Sequence, residues 1–418
     1  MYNKTILDGG IRVVSEAIEQ VRSVSIGVWV LCGARYEEEA SSGICHFLEH
    51  MLFKGTTGRA AYDIAAAIDS IGGIMNAFTG KELTAYYIKV PDYHLTVAID
   101  LLADMFTNSL FDQAEIEKEK SVVIQEISLL DDSPDDYIHD YFESTFWNGQ
   151  SLGRPVLGTR NSVEGFSREG LGSFFQSRYA GGNLVISATG NVDHRVFVDL
   201  VREAFSGLIL SPVVSKDVLP VSSAGIHVLE RDLEQVHLII GTDAPAAVSD
   251  RRYAALIINA LLGGCMSSRL FQEIRERRGL AYSVHSFLAS YLDTGILGIY
   301  TGAARDKIQE IIQVVMAELE RFREVALTDG ELAQAKELIK GNYLLSMEST
   351  DTRLSRLAKN EICFNRYVTS DEFIGYIEGV RREDVQSLAR EMFDPAKLNL
   401  VAMGNIRQED LAGSLTTS

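Results

Sequence analysis

Apolar residues along this chain fall into two kinds of run. Dense runs rich in valine and isoleucine predict buried strands at Ile11 to Val14, Val24 to Leu31 and Asn183 to Ala188. Returns every three or four residues predict helices through His46 to His50, over Tyr62 to Ile71, and near 94–109 and 113–131. Between these lies a hairpin pattern: Ile74 to Thr79, a Gly80-Lys81 turn, then Leu83 to Val90. Strands and helices come in clusters and do not strictly alternate. That order predicts an α+β fold, a mostly antiparallel sheet covered by helices on one face.

The pattern is written twice. Glu19-Gln20-Val21 recurs as Glu234-Gln235-Val236 (234 − 19 = 215), Asn183-Leu184-Val185 as Asn399-Leu400-Val401 (399 − 183 = 216), and Gly190-Asn191 as Gly404-Asn405 (404 − 190 = 214). Three matches in order at a nearly constant offset predict two homologous domains. The stretch 211–224 holds two of the seven prolines together with four serines, so it reads as a linker. The expected division is residues 1–210, the linker, and residues 225–418. The length of 418 residues also exceeds what one ordinary core serves.

Composition narrows the partners. Hydrophobic residues make up 46% and charged residues 23%, ordinary for a globular protein. The formal net charge is −19, which argues against nucleic acid or an anionic membrane as the main partner and suits basic peptides. No apolar run is long enough to span a membrane. Cys32, Cys45, Cys265 and Cys363 are scattered, without a C-x-x-C pair, and read as free thiols in a reducing compartment. The first residues lack the apolar core of a signal peptide and the arginine- and serine-rich look of a transit peptide, so a cytoplasmic location is expected.

The chemistry sits in His46-Phe47-Leu48-Glu49-His50. Residues four apart in a helix project from one face one turn apart, the geometry for two imidazoles to grip one metal ion. Glu49 projects on the same side, and its expected job is general base toward a water that the metal activates. Ile44, Phe47, Leu48, Met51, Leu52 and Phe53 make the surrounding helix apolar. Two histidines and a glutamate buried there would be costly without a partner, and a metal supplies one. A catalytic zinc takes three protein ligands and keeps a fourth position open. The third ligand is expected on the acidic helix after residue 113, where Glu119 and Glu126 lie seven apart on one face beside Val122, Val123 and Ile127. Spacing alone does not choose between those two carboxylates.

The run HFLEHMLFKGT, with NAFTGKELTAYY and IEKEKSVVIQE downstream, resembles the pitrilysin/insulinase family of zinc peptidases, whose inverted His-x-x-Glu-His motif defines the inverzincins. The likeness covers nearly the whole chain and is strongest toward the processing-peptidase branch. It implies a zinc metalloendopeptidase with one zinc per chain, held by His46, His50 and Glu126. It implies that Glu119 is a supporting carboxylate behind the metal. It implies that Asn76, Ala77 and Phe78 form an exposed sheet edge to which a peptide substrate adds as an extra strand.

The second copy carries no His-x-x-Glu-His, and its counterpart helix, Tyr253 to Leu262, lacks histidine and acid. Arg275 and Tyr282 match the family's arginine–tyrosine pair, which grips substrate carbonyls and stabilises the oxyanion of the tetrahedral intermediate. Family members close on substrate as two clam-shell halves, each about the size of this chain. A homodimer is therefore expected, since this chain carries both the zinc motif and the arginine–tyrosine pair. Asp136 and Asp140 match acidic positions that bind a substrate arginine and imply a preference for a basic residue near the cut. The alternative within the same fold is a non-catalytic scaffold subunit, against which the intact zinc motif argues.

Overall fold

A computed structural model describes residues 2–208 and 219–415. Its strands are β1 (Tyr2–Ile6), β2 (Arg12–Ala17), β3 (Ser23–Val30), β4 (Ile74–Thr79), β5 (Thr84–Pro91) and β6 (Leu184–Gly190), then β7 (Gly225–Glu230), β8 (Val236–Asp243), β9 (Ser283–Ser290), β10 (Gly295–Ala303) and β11 (Asn399–Gly404). The helices of the first half are α1 (Ile44–Leu52), α2 (Ala61–Ser70), α3 (Leu95–Asn108), α4 (Gln113–Asp131), α5 (Pro134–Phe146), α6 (Arg160–Glu164), α7 (Arg168–Arg178) and α8 (His194–Ala204). Those of the second are α9 (Arg252–Leu262), α10 (Ile308–Glu324), α11 (Asp329–Ser346), α12 (Thr350–Phe364), α13 (Ser370–Gly379) and α14 (Arg382–Met392). Among the described residues, no helix is long and apolar enough to cross a membrane.

Two sheets result. The first has the order β1-β2-β6-β3-β5-β4 and is antiparallel except between β2 and β6. The second has the order β7-β11-β8-β10-β9 and is antiparallel except between β7 and β11. From β2 onward the two orders are the same, including the place of the one parallel pair. The α+β fold with two homologous halves is therefore present.

The recurring Gly-Asn pairs have a backbone reason. Gly190 and Gly404 end β6 and β11 with φ of +132° and +139°. A Cβ at Gly190 would lie 2.3 Å from the Ser23 carbonyl oxygen, and one at Gly404 would lie 2.8 Å from that of Gln235. Only glycine fits both demands.

The chain packs as two compact units, each discontinuous in sequence. One comprises Met1–Leu129, Arg154–Asp217 and Ser346–Tyr367; the other comprises Leu130–Gly153, Val218–Leu345 and Val368–Ser418. The reason is an exchange of helices. One face of each sheet is covered by helices of its own half, as in the first core, where Phe47, Leu48 and Met51 of α1 and Ile99, Leu102 and Phe106 of α3 meet Ile26 and Val28 of β3. The other face receives one helix from the opposite half of the sequence. Ile138, Phe142 and Phe146 of α5, at helical spacing, pack on Ile239, Val401 and Met403 of the second sheet. Leu354, Leu357 and Ala358 of α12 pack on Val14, Trp29, Ala85 and Val185 of the first. Each sheet thus has helices on both faces, one more layer than the sequence pattern suggested. The division expected at 211–224 separates the two sheets, not the two packing units. Residues 211–218 of that linker lie outside the described residues, and 219–224 run without regular structure.

The strands that receive the exchanged helices carry matching glycines. A Cβ at Gly27 of β3 would lie 3.3 Å from Leu354 of α12, and one at Gly241 of β8 would lie 2.4 Å from the Phe142 ring of α5. The two glycines are 214 positions apart (241 − 27 = 214), the offset of the repeat.

Candidate metal centre

Helix α1 is nine residues long and buries Ile44, Cys45, Phe47, Leu48, Met51 and Leu52. His46, Glu49 and His50 occupy the remaining stripe at i, i+3 and i+4. Helix α4 turns Ile116, Glu119 and Val123 inward on one stripe, and Glu126 continues it seven residues after Glu119.

Those two stripes bring the histidines and both glutamates together. The Nε2 atoms of His46 and His50 each lie 3.6 Å from Glu126 Oε2, and the two imidazole centroids are 4.6 Å apart. These separations are too long for hydrogen bonds. They match donor atoms around a tetrahedral zinc, which sit about 3.4 Å from one another when each bond is about 2.0–2.2 Å. Among the described residues, His46, His50 and Glu126 are the one group of potential ligands whose donor atoms converge within 4.8 Å. The buried Nδ1 of His46 has no hydrogen-bond partner. The donor set of two imidazoles and one carboxylate therefore fits a zinc ion with an open fourth position.

Glu119 stands on the far side of His50. Its Oε2 lies 3.7 Å from His50 Nδ1 and 2.7 Å from Lys54 Nζ, and its side chain is almost wholly buried. Burial would raise the Glu119 pKa, but His50 and Lys54 outweigh it and hold the carboxyl below the usual range. For His50, desolvation is likewise overcome by Glu119, Glu126 and Glu49, which raise its pKa. For His46, burial and then the neighbouring His50 push the pKa down to about 4. A neutral His46 is the ligand form. Glu49 accepts a hydrogen bond from Thr79 Oγ1 at 2.5 Å, and desolvation raises its pKa. A carboxyl with a raised pKa holds a proton more readily, which suits a group that must both take and return one.

Strand β4 is an edge of the first sheet, paired with β5 alone. Asn76, Ala77 and Phe78 lie in its middle, and exposure alternates along it, with Ile74, Asn76 and Phe78 outward. The Ala77 amide donates to Asn76 Oδ1 at 2.8 Å. Thr79 at the end of the same strand links this edge to Glu49.

The other expected residues belong to the second unit. Arg275 lies in a π-helical segment, Phe271–Arg277, and its guanidinium carbon is 4.5 Å from the Tyr282 ring and 4.9 Å from that of Phe271. The structure brings Arg275 and Tyr282 together, and Tyr282 is 81% exposed. Asp136 and Asp140 are one turn apart on α5. Asp136 accepts a hydrogen bond from Ser133 Oγ at 2.7 Å near the helix start.

Three contacts escaped the sequence reading. Lys54 pairs with Glu119, Thr79 holds Glu49, and Glu37 accepts backbone bonds at the start of α1. Lys54 follows His50 by four residues, a spacing that could have suggested it. Thr79 reaches the site from thirty residues away and leaves no local signal, whereas Glu37 lies just six residues before Gly43 and eight before Cys45.

The fold and this cluster define a metallohydrolase type of site on a duplicated α+β scaffold. Comparison with known proteins specifies it. The sequence model of the insulinase family, peptidase family M16, matches residues 12–160, and that of the peptidase M16 inactive domain matches residues 165–339. A Streptomyces coelicolor protein named an uncharacterized zinc protease is 39% identical over 93% of this chain and 86% of its own length. A Bacillus subtilis protein of the same description is 40% identical over 94% and 96%. A protease from Helicobacter pylori shares the fold with a TM-score of 0.90 at 22% identity, covering 97% of this chain and 99% of its own. This chain belongs to the insulinase family, peptidase family M16.

Proposed function

We propose that this protein is a zinc metalloendopeptidase that hydrolyses peptides or unstructured polypeptide segments. The observation that carries the reading is the convergence of His46, His50 and Glu126 within ligand distance, with Glu49 one turn from His46 on the same stripe. Membership of a peptidase family and relatives named zinc proteases support it.

His46, His50 and Glu126 hold one zinc per chain. When bound, the ion supplies Lewis acidity toward a peptide carbonyl and acidifies water. Glu49 takes a proton from the attacking water and returns it to the leaving amine; Thr79 keeps one of its oxygens in place. Glu119, neutralised in part by Lys54, holds the Nδ1 side of His50 against negative charge. The open edge of β4 around Asn76, Ala77 and Phe78 receives the substrate backbone as an added strand, a mode that tolerates varied sequences. Arg275 and Tyr282 grip substrate carbonyls, and Asp136 and Asp140 favour a basic residue near the cut.

The working assembly in this reading is a homodimer, tested by light scattering on a size-exclusion column; a clean monomer at working concentration contradicts it. Among the described residues none of the four cysteines is in a disulfide, which suits a reducing cytoplasm. The function is tested by digesting a library of extended peptides and sequencing the products by mass spectrometry. Internal cleavage abolished by a chelator and restored by zinc is expected. Intact peptides under all conditions would overturn the assignment.

A further inference from the structure

Glu37 is 4% exposed and lies in none of the functional roles described above. Its carboxylate spends both oxygens on one object, the first turn of α1. Oε2 accepts from the Gly43 amide at 2.7 Å and Oε1 from the Cys45 amide at 2.8 Å. These are two of the donors that a helix N-terminus leaves without an intrahelical partner, and a negative charge there also meets the favourable end of the helix dipole. Cys45 is the residue before His46. The cap at Gly43 has φ of +88° and no side-chain hydrogen bond of its own, so Glu37 reaches in from outside the helix to do that work.

Glu37 is itself pinned. Arg154 Nη1 donates to the Glu37 carbonyl, and Lys81 Nζ in the β4–β5 turn donates to the Arg154 carbonyl at 2.6 Å. On the other side, Ser162 Oγ donates to the Ser42 carbonyl at 2.7 Å. A Cβ at Gly43 would lie 2.6 Å from the Leu157 carbonyl oxygen, and one at Gly158 would lie 2.3 Å from that of Ser42, so the backbone packs here without slack. A continuous chain of polar contacts thus runs from the start of the metal-ligand helix, through Glu37 and Arg154, to the hairpin turn that ends the β4 edge.

We infer that Glu37 is a positioning residue for the metal centre: its buried carboxylate fixes the first turn of α1, and through it the pose of His46 and His50 relative to Glu126. This rests on the reading of those three residues as metal ligands. A purely structural cap would support the fold and leave the metal geometry alone. A positioning cap changes how well a preformed site holds its ion, and loss of such support costs roughly 10- to 100-fold in metal affinity.

Cobalt(II) reports the difference, because its visible absorption depends on ligand geometry and needs no turnover. Wild type, Glu37→Gln and a control, Glu16→Gln, are titrated with Co2+ alone, and kcat and KM are measured after zinc loading. Glu16 is a buried carboxylate of the same unit, bonded to Arg353 and Tyr367. Glutamine offers one acceptor where two amides need partners. Glu37→Gln is expected to bind Co2+ roughly tenfold or more weakly with an altered spectrum, and to lose kcat with KM little changed. Glu16→Gln is expected to keep the wild-type spectrum. Wild-type affinity and spectrum in a folded Glu37→Gln would overturn the inference. Absence of Co2+ binding by wild type would instead overturn the metal-site reading itself. If Glu37→Gln does not fold, Glu37→Asp, which keeps the charge and shortens the reach to both amides, is titrated with Co2+ in its place. Weakened Co2+ binding with an altered spectrum is expected; wild-type affinity and spectrum in Glu37→Asp would sink the inference.

Discussion

Placing a methyl group on Gly241 tests the helix exchange directly. The added Cβ would sit 2.4 Å from Phe142 Cζ, 2.9 Å from Cε2 and 3.3 Å from the Leu297 carbonyl oxygen. The Phe142 ring is wholly buried and stacks on Phe146 at 5.3 Å, so it has nowhere to retreat. Overpacking of this kind costs about 1–3 kcal/mol. Removing the ring by Phe142→Ala costs about 3–5 kcal/mol on its own. In the double variant the new methyl enters the space the ring vacated, so the two costs should fall short of additivity by about 1–2 kcal/mol. The chain has two tryptophans, and Trp147 packs edge-on against Phe146 at 4.7 Å beside α5. A Trp29→Phe background leaves Trp147 as the only indole, and urea unfolding followed by its fluorescence gives all four corners of the cycle. Gly241→Ala at wild-type stability, or strict additivity with Phe142→Ala, would refute the docking of α5 on the second sheet.

Two further outcomes follow from the charges. Burial pushes the Glu37 carboxyl up to about 7 from 4.5, against the Cys45 and Gly43 amides and the Arg154 charge, with the Cys45 thiol also facing it. A carboxyl whose folded pKa is raised contributes stability that is complete below the unfolded value and disappears as pH rises through the folded one. Metal-free wild type should therefore lose roughly 3 kcal/mol relative to Glu37→Gln between pH 4.5 and pH 7.5, measured by urea titration at each pH; a constant difference between the two would contradict this. Separately, Asp136→Asn with Asp140→Asn should flatten any preference for Lys or Arg near the cut in a peptide-library profile while neutral peptides are cleaved as before. An unchanged profile would remove those two residues from the substrate site.

Local spacing made part of this protein legible and topology hid the rest. The His46, Glu49 and His50 stripe follows from helical geometry alone, and α1 folds with those three residues on the face not committed to the core. Glu119 and Glu126 share a face of α4, and no count of residues says which side of an imidazole each will meet. The structure puts Glu126 at the Nε2 atoms and Glu119 at Nδ1 of His50, a distinction set by how α4 crosses α1. The apolar stripe of Ile138, Phe142 and Phe146 announced a buried helix face without naming the sheet it buries against. Docking on a sheet about a hundred residues further along the chain is a long-range event without local signature. Its trace is the pair Gly27 and Gly241, meaningful only once the helices above them are seen.

In the proposed function His46, His50 and Glu126 hold a zinc ion and Glu49 moves the proton. Zinc content and peptide turnover of Glu49→Gln beside wild type test it most directly. One zinc per chain is expected in both proteins, with turnover lowered by about 100- to 10,000-fold in the variant. Turnover near wild type in Glu49→Gln, or a wild-type chain that holds no zinc, would contradict it.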